Sequence, residues 1–159
     1  MSEAAEMTIR RAHAVQPVAA LATLHRGEPA VSMVPFVLPA GGTQVIIHVS
    51  GLATHTRDMQ QHPRVSLLVM AEATADVSPQ ALPRVALQAE VQALEPGSAG
   101  HAAARAAYLQ RFPEAEMMTT LGDFRFVRLQ LLGARQVAGF GAARSLPADE
   151  VRRALAPAS

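Results

Sequence analysis

Residues 43–70, TQVIIHVSGLATHTRDMQQHPRVSLLVM, hold a strand, a helix start and a second strand in close succession. Residues 44–49 are apolar and rich in β-branched side chains, which is typical of a strand. A short helix is predicted from about Thr54 to His62, and Pro63 ends it because proline cannot donate the hydrogen bond that a helix needs. Residues 64–70 predict the next strand. The stretch therefore predicts a strand–helix–strand unit with a polar helix start.

Hydroxyl, imidazole and guanidinium groups crowd the start of this helix. The first turn of a helix has unpaired N–H groups and the positive end of the helix dipole, so it favours a phosphate. Ser50, Thr54 and Thr56 could donate hydrogen bonds, while His55 and Arg57 could supply positive charge. The same residues suit a plain structural purpose, with a hydroxyl as N-cap and the arginine as a solvated surface group. Both interpretations stay open on this stretch alone.

Composition narrows the class of protein and of site. At 159 residues the chain is predicted to form one domain, over residues 1–159. Its formal charge is +1, and no basic field suited to a nucleic-acid backbone is present. All fourteen basic residues are arginine, so a lysine Schiff base is excluded. The absence of cysteine removes disulfides, thiolate metal sites and thiol catalysis, and it fits a cytoplasmic protein.

No targeting or membrane segment is predicted. The apolar run over residues 15–24 is interrupted by Gln16 and Pro17, and it is shorter than the roughly 20 residues that cross a bilayer. Glu3 and Glu6 precede it, where a secretory signal would carry basic residues. The run is therefore interpreted as part of the first strand, and a cytoplasmic location is predicted.

Short turns join the first three predicted strands, which favours antiparallel pairing. Pro35 lies within the second strand and should mark a bulge or an edge, because it has no N–H. A helix rich in alanine is expected as a packing element. The predicted strands cover residues 18–25, 30–38, 44–49, 64–70, 84–94, 123–132 and 134–140, and the predicted helices cover 54–62, 98–111, 114–120 and a short one from Pro147. This succession predicts a small α+β β-barrel or sandwich.

Other candidate sites are weaker. His48, His55 and His62 are seven residues apart, but no carboxylate joins them at ligand spacing, so no metal site is predicted. The remaining histidines, at positions 13, 25 and 101, are isolated and are interpreted as surface residues. No glycine-flanked serine of the hydrolase type is present. The sequence gives no candidate catalytic residue.

Several motifs, in order along residues 12–145, resemble a known family. They are VAALATL at 18–24, AVSMVPF at 30–36, SGLATHTR at 50–57, HPRVSLLV at 62–69, PRVALQ at 83–88, RFP at 111–113, DF at 123–124 and GFG at 139–141. The chain resembles the pyridoxamine 5′-phosphate oxidase-like split barrels that bind flavin mononucleotide (FMN), in the branch concerned with haem utilisation. The resemblance implies an α+β split β-barrel of six or seven mostly antiparallel strands with inserted helices.

The resemblance also implies the position of an FMN site. The flavin ring would lie along the second strand, against Ser32, Met33, Val34 and Pro35. The phosphate would lie at the end of the third strand and the helix start. That set is His48, Ser50, Thr54, His55, Thr56 and Arg57. The fifth strand of a second subunit would complete the pocket through Arg84 and Gln88, so a homodimer with FMN sites at its interface is expected.

The chain departs from the oxidase itself at the phosphate. A Ser-Arg-Lys run in the oxidase corresponds to Ala53-Thr54-His55 here, which loses two fixed positive charges that Arg57 could replace in part. The arginine and histidine that bind substrate near the end of the oxidase have no clear counterpart, so oxidation of pyridoxamine phosphate is not expected. The sequence leaves two main functions open, an FMN-dependent oxidoreductase of unknown substrate and an FMN or haem carrier or sensor without turnover. A third, weaker alternative is a barrel that has lost its cofactor.

Overall fold

The computed structural model describes residues 12–39, 44–139 and 141–155, with the side chains of residues 154 and 155 excepted. Seven strands form one antiparallel sheet. They are β1 (Val18–His25), β2 (Glu28–Val37), β3 (Gln44–Ser50), β4 (Arg64–Met70), β5 (Arg84–Ala93), β6 (Phe124–Val137) and β7 (Ala143–Pro147). The helices are α1 (Thr54–Gln61), α2 (Ala99–Arg111) and α3 (Ala148–Leu155), with short 3₁₀ turns at Pro79–Ala81, Pro113–Ala115 and Met118–Thr120. Residues 12–15 are also helical.

Six of the strands close into a barrel, in the order β3-β2-β1-β4-β5-β6, because β3 pairs with both β2 and β6. The seventh strand, β7, adds to the free part of β6. A closed sheet leaves no long unpaired edge, so each strand can bury alternate side chains inside. The predicted split barrel with inserted helices is confirmed. None of the helices in the described ranges is long and apolar enough to cross a membrane.

Pro35 sets the point at which the barrel splits. Phe36 donates its N–H to Pro17 on the β1 side, and alternate residues of a strand direct their N–H groups to opposite neighbours. The backbone position of Pro35 therefore faces β3, and proline has no N–H to donate there. Only two pairs join β2 to β3, Phe36↔Ile47 and Val37↔Ile46. Beyond them β3 pairs with β6 alone, and an opening separates β2 from the end of β3.

Alternate side chains of β3 belong to two different hydrophobic clusters. Val45, Ile47 and Val49 point into the barrel, where they pack with the inward residues of the other strands and with Met59 of α1. Ile46 points to the outside and belongs to a second cluster, in which Ala104 and Tyr108 of α2 cover the barrel wall. Burial on both faces explains why residues 44–49 form a continuous apolar run. The alanine-rich α2 is the packing element that the sequence predicts.

The backbone of Gly51, just after β3, lies close to the backbone of Asp123, just before β6. Its N–H donates to the carbonyl of Asp123. A Cβ atom at this position would lie 2.9 Å from that carbonyl oxygen and 2.9 Å from Nε of Arg125. Real side chains do not approach so closely, so the turn that leads into α1 depends on glycine here.

Most element bounds agree with the sequence predictions to within a residue or two, and three predictions are wrong. Gly133 does not end a strand, because β6 runs through it as a single strand of 14 residues. A bulge at this point leaves Leu132 without a partner, between the pairs Gln88↔Gly133 and Ala89↔Leu131. The predicted strand at 134–140 is the second half of β6, and the true seventh strand is β7. The predicted helix at 114–120 is two 3₁₀ turns, Pro113–Ala115 and Met118–Thr120.

The residues before β1 are fastened to the end of α2. Arg111 donates from one guanidinium nitrogen to the carbonyls of His13 and Gln16, at 2.6 Å each. Nε2 of His13 accepts the N–H of Leu38 at 3.0 Å. Burial, together with the charge of Arg111, lowers the pKa of His13 to about 4. The fold therefore holds this imidazole neutral, and His13 is not the surface residue that the sequence predicts.

We expect Gly51→Ala to lower the free energy of unfolding by about 1–3 kcal/mol, the usual cost of overpacking, because the Asp123 carbonyl belongs to the backbone and cannot turn away. Gly122→Ala is the matched control, since no atom lies within 4 Å of its Cβ position. Urea unfolding followed by circular dichroism measures both. Equal stability of the two variants would contradict the close approach at Gly51.

We expect His13 to make stability depend on pH. The unfolded chain binds a proton at a pKa of about 6.5, but the folded chain does so only near 4. Between these values the unfolded state binds more protons, so the free energy of unfolding falls as the pH falls through this window. His13→Gln keeps an acceptor for the Leu38 N–H but does not titrate. Its urea midpoint should fall less than that of the wild type between about pH 7 and about pH 4.5, and equal falls would show that His13 contributes nothing.

Candidate functional site

Five of the six predicted phosphate residues, all except His48, lie in the turn after β3 and the first turn of α1, over residues 50–57. We call this segment the 50–57 loop, and it is held by its own contacts. The Thr56 hydroxyl donates to the carbonyl of Ser50 at 2.6 Å. The Ser50 hydroxyl accepts the N–H of Leu52 at 3.2 Å, and Arg57 donates to the carbonyl of Leu52 at 3.3 Å. Thr56 is buried, so its hydroxyl is committed to the loop. Ser50 and Arg57 retain donors that are free for a ligand.

The start of α1 supplies further donors. The methyl side chain of its N-cap residue, Ala53, cannot accept a hydrogen bond from the helix. The N–H groups of Thr54 and His55 have no acceptor among the described residues. Thr54 is exposed and His55 half-buried. Burial lowers the pKa of His55, and the nearby Asp58 opposes that change only in part. His55 is therefore neutral at pH 7, and Arg57 is the one fixed positive charge of this loop.

Across the opening lies the predicted flavin strand. The side chain of Val34 is buried in the barrel, and that of Met33 points outward and is 62% exposed. Pro35 and Ser32 are half-buried, and the Ser32 hydroxyl oxygen is buried without a hydrogen-bond partner. Because β3 leaves β2 after Phe36, the backbone of residues 32–35 borders the opening on its β3 side. The β2 set therefore follows one of the two strands that part here, and the 50–57 loop follows the other.

His48 lies elsewhere. Its side chain points to the outside of the barrel under α2 and is only 6% exposed. Its ring packs between aromatic rings, with centroids 4.5 Å from Phe126, 5.2 Å from Phe124 and 5.4 Å from Tyr108. Burial, and the nearby His101, lower the pKa of His48. The imidazole is a neutral member of an aromatic cluster and does not reach the 50–57 loop.

The two β5 residues are far from β2 within one chain. β1 and β4 lie between β2 and β5, so three strand spacings separate them, about 14 Å. Arg84 donates to the carbonyls of Gln80 and Leu82, at 3.3 and 3.0 Å, and so fastens the turn before β5. Gln88 is exposed and, with Arg64, lines a cleft of about 460 Å³. Within one chain, Arg84 and Gln88 therefore do not border the opening beside β2.

One ionisable pair with a buried carboxylate was missed by the sequence reasoning. Asp58 of α1 is 4% exposed, and its carboxylate lies 2.8 Å from Nδ1 of His25. The Thr23 hydroxyl donates to the other oxygen at 3.5 Å. A buried carboxylate needs such partners, and the pair fastens α1 over the end of β1. Positions 25 and 58 are far apart in sequence, so no local pattern indicated the contact, and His25 is not an isolated surface residue.

A second cleft, of about 370 Å³, lies between α1, the end of β5, the first turn of α2 and the start of β6. We call it the Phe124 cleft. Its apolar lining is Met59, Val91, Leu94, Phe124, Phe126 and Val127, and its principal polar groups are Gln60, Glu95, His101 and Arg125. Such a cleft, mostly apolar with a few polar groups, is typical of a small-molecule site. The sequence analysis missed it because its walls come from four separate elements.

His101 is half-buried in this cleft and packs edge-on against Phe126, with ring centroids 5.4 Å apart. The structure thus corrects the prediction that it is an isolated surface residue. In the described ranges, no three side chains of the histidine, aspartate and glutamate types lie close enough to hold a bare metal ion. A ligand of this cleft would therefore meet one imidazole rather than a cluster of ligands.

Comparisons with known proteins agree with this architecture. Residues 6–138 match the sequence profile of the pyridoxamine 5′-phosphate oxidase family. The non-canonical haem oxygenase HOZ of the Arabidopsis thaliana chloroplast is 34% identical over 119 residues, which are 75% of this chain and 35% of that protein. The haem oxygenase HutZ of Vibrio cholerae is 31% identical over 127 residues, 79% of this chain and 71% of that protein.

A solved structure, that of a haem-binding protein from Mycobacterium smegmatis, superposes with a TM-score of 0.83 at 32% identity. The match covers 96% of this chain and 61% of the mycobacterial chain. The chain thus spans about a third of the plant relative and less than two thirds of the mycobacterial one. With the profile match over residues 6–138 and the shared split barrel, the chain belongs to the pyridoxamine 5′-phosphate oxidase family, in the branch that contains these haem proteins.

Proposed function

We propose that this protein binds haem and acts in haem utilisation. The observation that carries the proposal is the similarity, over three quarters of the chain, to two haem oxygenases. The structural likeness to a haem-binding protein over almost the whole chain supports it. Of the functions that the sequence leaves open, this proposal takes haem binding over the FMN-dependent oxidoreductase.

The chemistry of the chain suits a haem ligand. Haem brings four nitrogen ligands for its iron and needs only one or two from the protein, most often histidine. The chain has no cysteine but has six histidines. Propionate groups are held best by guanidinium groups, and all fourteen basic residues are arginine. An apolar cleft with an imidazole, such as the Phe124 cleft, is the kind of place where a porphyrin could lie.

FMN is the second candidate, and one observation favours it. The N–H groups of Thr54 and His55 make no hydrogen bond to a described residue, so a phosphate could accept from them. The charges are less favourable, because His55 is neutral and Arg57 alone supplies a cation. The Thr56 hydroxyl is already engaged. The FMN residues therefore remain a prediction, and the proposed main ligand is haem.

A homodimer is part of the proposal. The outward side of β2, β1, β4 and β5 forms an apolar surface, the outer sheet face, made of Ala20, Ala22, Val31, Met33, Leu68, Met70 and Ala86. Val31 is 75% exposed there. Exposed apolar patches of this kind mark interfaces, and a two-fold axis would make the contact self-complementary. A second copy would also bring its own β5 to the β2 of the first, which one chain cannot do by itself.

We expect the purified protein to bind ferric haem in preference to FMN. Titration with haemin should produce a Soret band that saturates at one haem per chain and survives desalting. Titration with FMN, with riboflavin as the phosphate-free control, is followed by flavin fluorescence. Retention of FMN without any haem uptake would overturn the proposal in favour of the flavin function, and retention of neither ligand would contradict both.

We expect light scattering to give the mass of a dimer, and Met33→Asp to give the mass of a monomer, because a carboxylate would be buried in the interface without a partner. Met117→Asp is the matched control, since Met117 is 79% exposed but lies outside the outer sheet face. A wild-type monomer, or dissociation by both substitutions alike, would count against this face as the interface.

A further inference from the structure

The Phe124 cleft lies where β5 and β6 stop pairing with each other. Their last pair is Ala93↔Val127. Two residues beyond it, Glu95 and Arg125 would stand opposite each other if the antiparallel pairing continued. Both line the cleft, and no ion pair joins their side chains. The cleft therefore has a carboxylate and a guanidinium group on two of its walls that do not neutralise each other directly.

The guanidinium group of Arg125 is placed by its neighbours and has free donors. Its backbone pairs with Val49 of β3, and its Nε and Nη2 atoms lie 2.9 and 3.0 Å from the position that a Cβ atom would take at Gly51. The side chain thus lies against the Gly51 backbone. It makes no hydrogen bond or ion pair with a described residue. Such a group suits a carboxylate, which can accept two of its N–H groups in parallel.

The Glu95 carboxylate is a free acceptor on another wall of the cleft. The backbone carbonyl of Glu95 accepts the Ser98 hydroxyl at 2.7 Å, which fixes the turn that leads from β5 into α2. Its side chain, by contrast, makes no hydrogen bond or ion pair with a described residue. Both Glu95 and Arg125 are exposed, so a ligand can reach them. A carboxylate in this position suits an ammonium group.

The remainder of the cleft suits a small aromatic body. Leu94, Phe124 and Phe126 line it, and phenylalanine rings pack well with another ring. The volume of about 370 Å³ is near the lower end of the range for small-molecule sites, so a porphyrin would place only one edge inside. Haem also brings carboxylates and no ammonium group, which would leave Glu95 without a partner. A smaller molecule with both charges matches the walls better.

We propose that the Phe124 cleft binds a zwitterionic α-amino acid with an aromatic side chain. Its carboxylate would lie on Arg125, its ammonium group on Glu95 and its ring against Phe124. The inference goes beyond the proposed haem function and does not depend on it. Because α1 also lines the cleft through Gln60, the ligand would contact β5, β6 and α1 together.

The test is a calorimetric titration of the protein with L-phenylalanine, which we expect to saturate at one molecule per chain. Two analogues each lack one charge: 3-phenylpropanoate has no ammonium group, and 2-phenylethylamine has no carboxylate. Each should bind at least about tenfold more weakly, a difference of about 1.4 kcal/mol, because one charge-assisted hydrogen bond is lost. No binding of L-phenylalanine, or equal binding of all three compounds, would overturn the proposal.

Two variants assign the charges. Arg125→Gln should weaken L-phenylalanine roughly tenfold but leave 2-phenylethylamine unchanged, and Glu95→Gln should weaken L-phenylalanine but leave 3-phenylpropanoate unchanged. A purely structural defect would weaken every compound alike, which would contradict these roles. Glu116→Gln is the matched control, since Glu116 is exposed and lies outside the cleft.

A competition with haemin separates this site from the haem function. We expect saturating L-phenylalanine to leave the haemin titration of the wild type unchanged. Displacement of L-phenylalanine by one equivalent of haemin would show that haem occupies the cleft, and the amino-acid site would then be wrong. Binding of L-phenylalanine without any haem uptake would overturn the haem function and leave the amino-acid site standing.

Discussion

The hydrogen bond that Pro35 cannot make is the constraint on which the arrangement of the barrel depends. Without an N–H toward β3, β2 holds that neighbour through two residue pairs only. The free end of β3 then lies along β6 over its whole length, which closes the barrel on the other side. Because β3 separates from β2 and stays paired with β6, Gly51 lies against Asp123. The chain then enters α1, which lies across the end of the barrel. The opening, the 50–57 loop and the position of α1 are thus consequences of one missing donor.

The departure of β3 also creates the second core. Outward side chains of a barrel strand normally meet water, but here Ile46 and His48 are covered by α2. An imidazole in such a place loses hydration, and the fold accepts it only as the neutral form. The aromatic rings that cover His48 extend into the Phe124 cleft. One packing unit therefore supports α2 and forms a wall of the Phe124 cleft, so a substitution in α2 should alter both the packing and the cleft.

Much of the fold follows from local patterns in the sequence. The predicted bounds of β1 and β4 equal the observed ones, since alternating apolar residues and flanking turn residues are sufficient to define short strands. The path of β6 through Gly133 was not predictable in this way, because a bulge depends on the register with β5. The pairing of His25 with Asp58 also depends on residues far apart in sequence. The predicted ligand residues on β2 and in the 50–57 loop belong to two strands that part after the pair Phe36↔Ile47, whereas His48, a strand neighbour of that loop, points to the other side of the wall.

The bulge at Leu132 shifts the alternation of β6 by one residue, so odd-numbered residues face the barrel before it and even-numbered residues face the barrel after it. Before it, Val127, Leu129 and Leu131 are buried, and after it Ala134 and Gln136 are buried instead. Removal of Leu132 would make Leu131 and Gly133 consecutive, as Ala89 and Gln88 are on β5, so Ala134 would stay inward and Arg135 outward. Removal of a residue on either side of the bulge would instead turn part of the strand over and expose its buried side chains. Over evolution, a one-residue deletion in the middle of β6 should therefore be tolerated at Leu132 and not at its buried neighbours. An alignment with a distant relative that lacks the bulge keeps buried residues opposite buried ones only if its gap falls at Leu132.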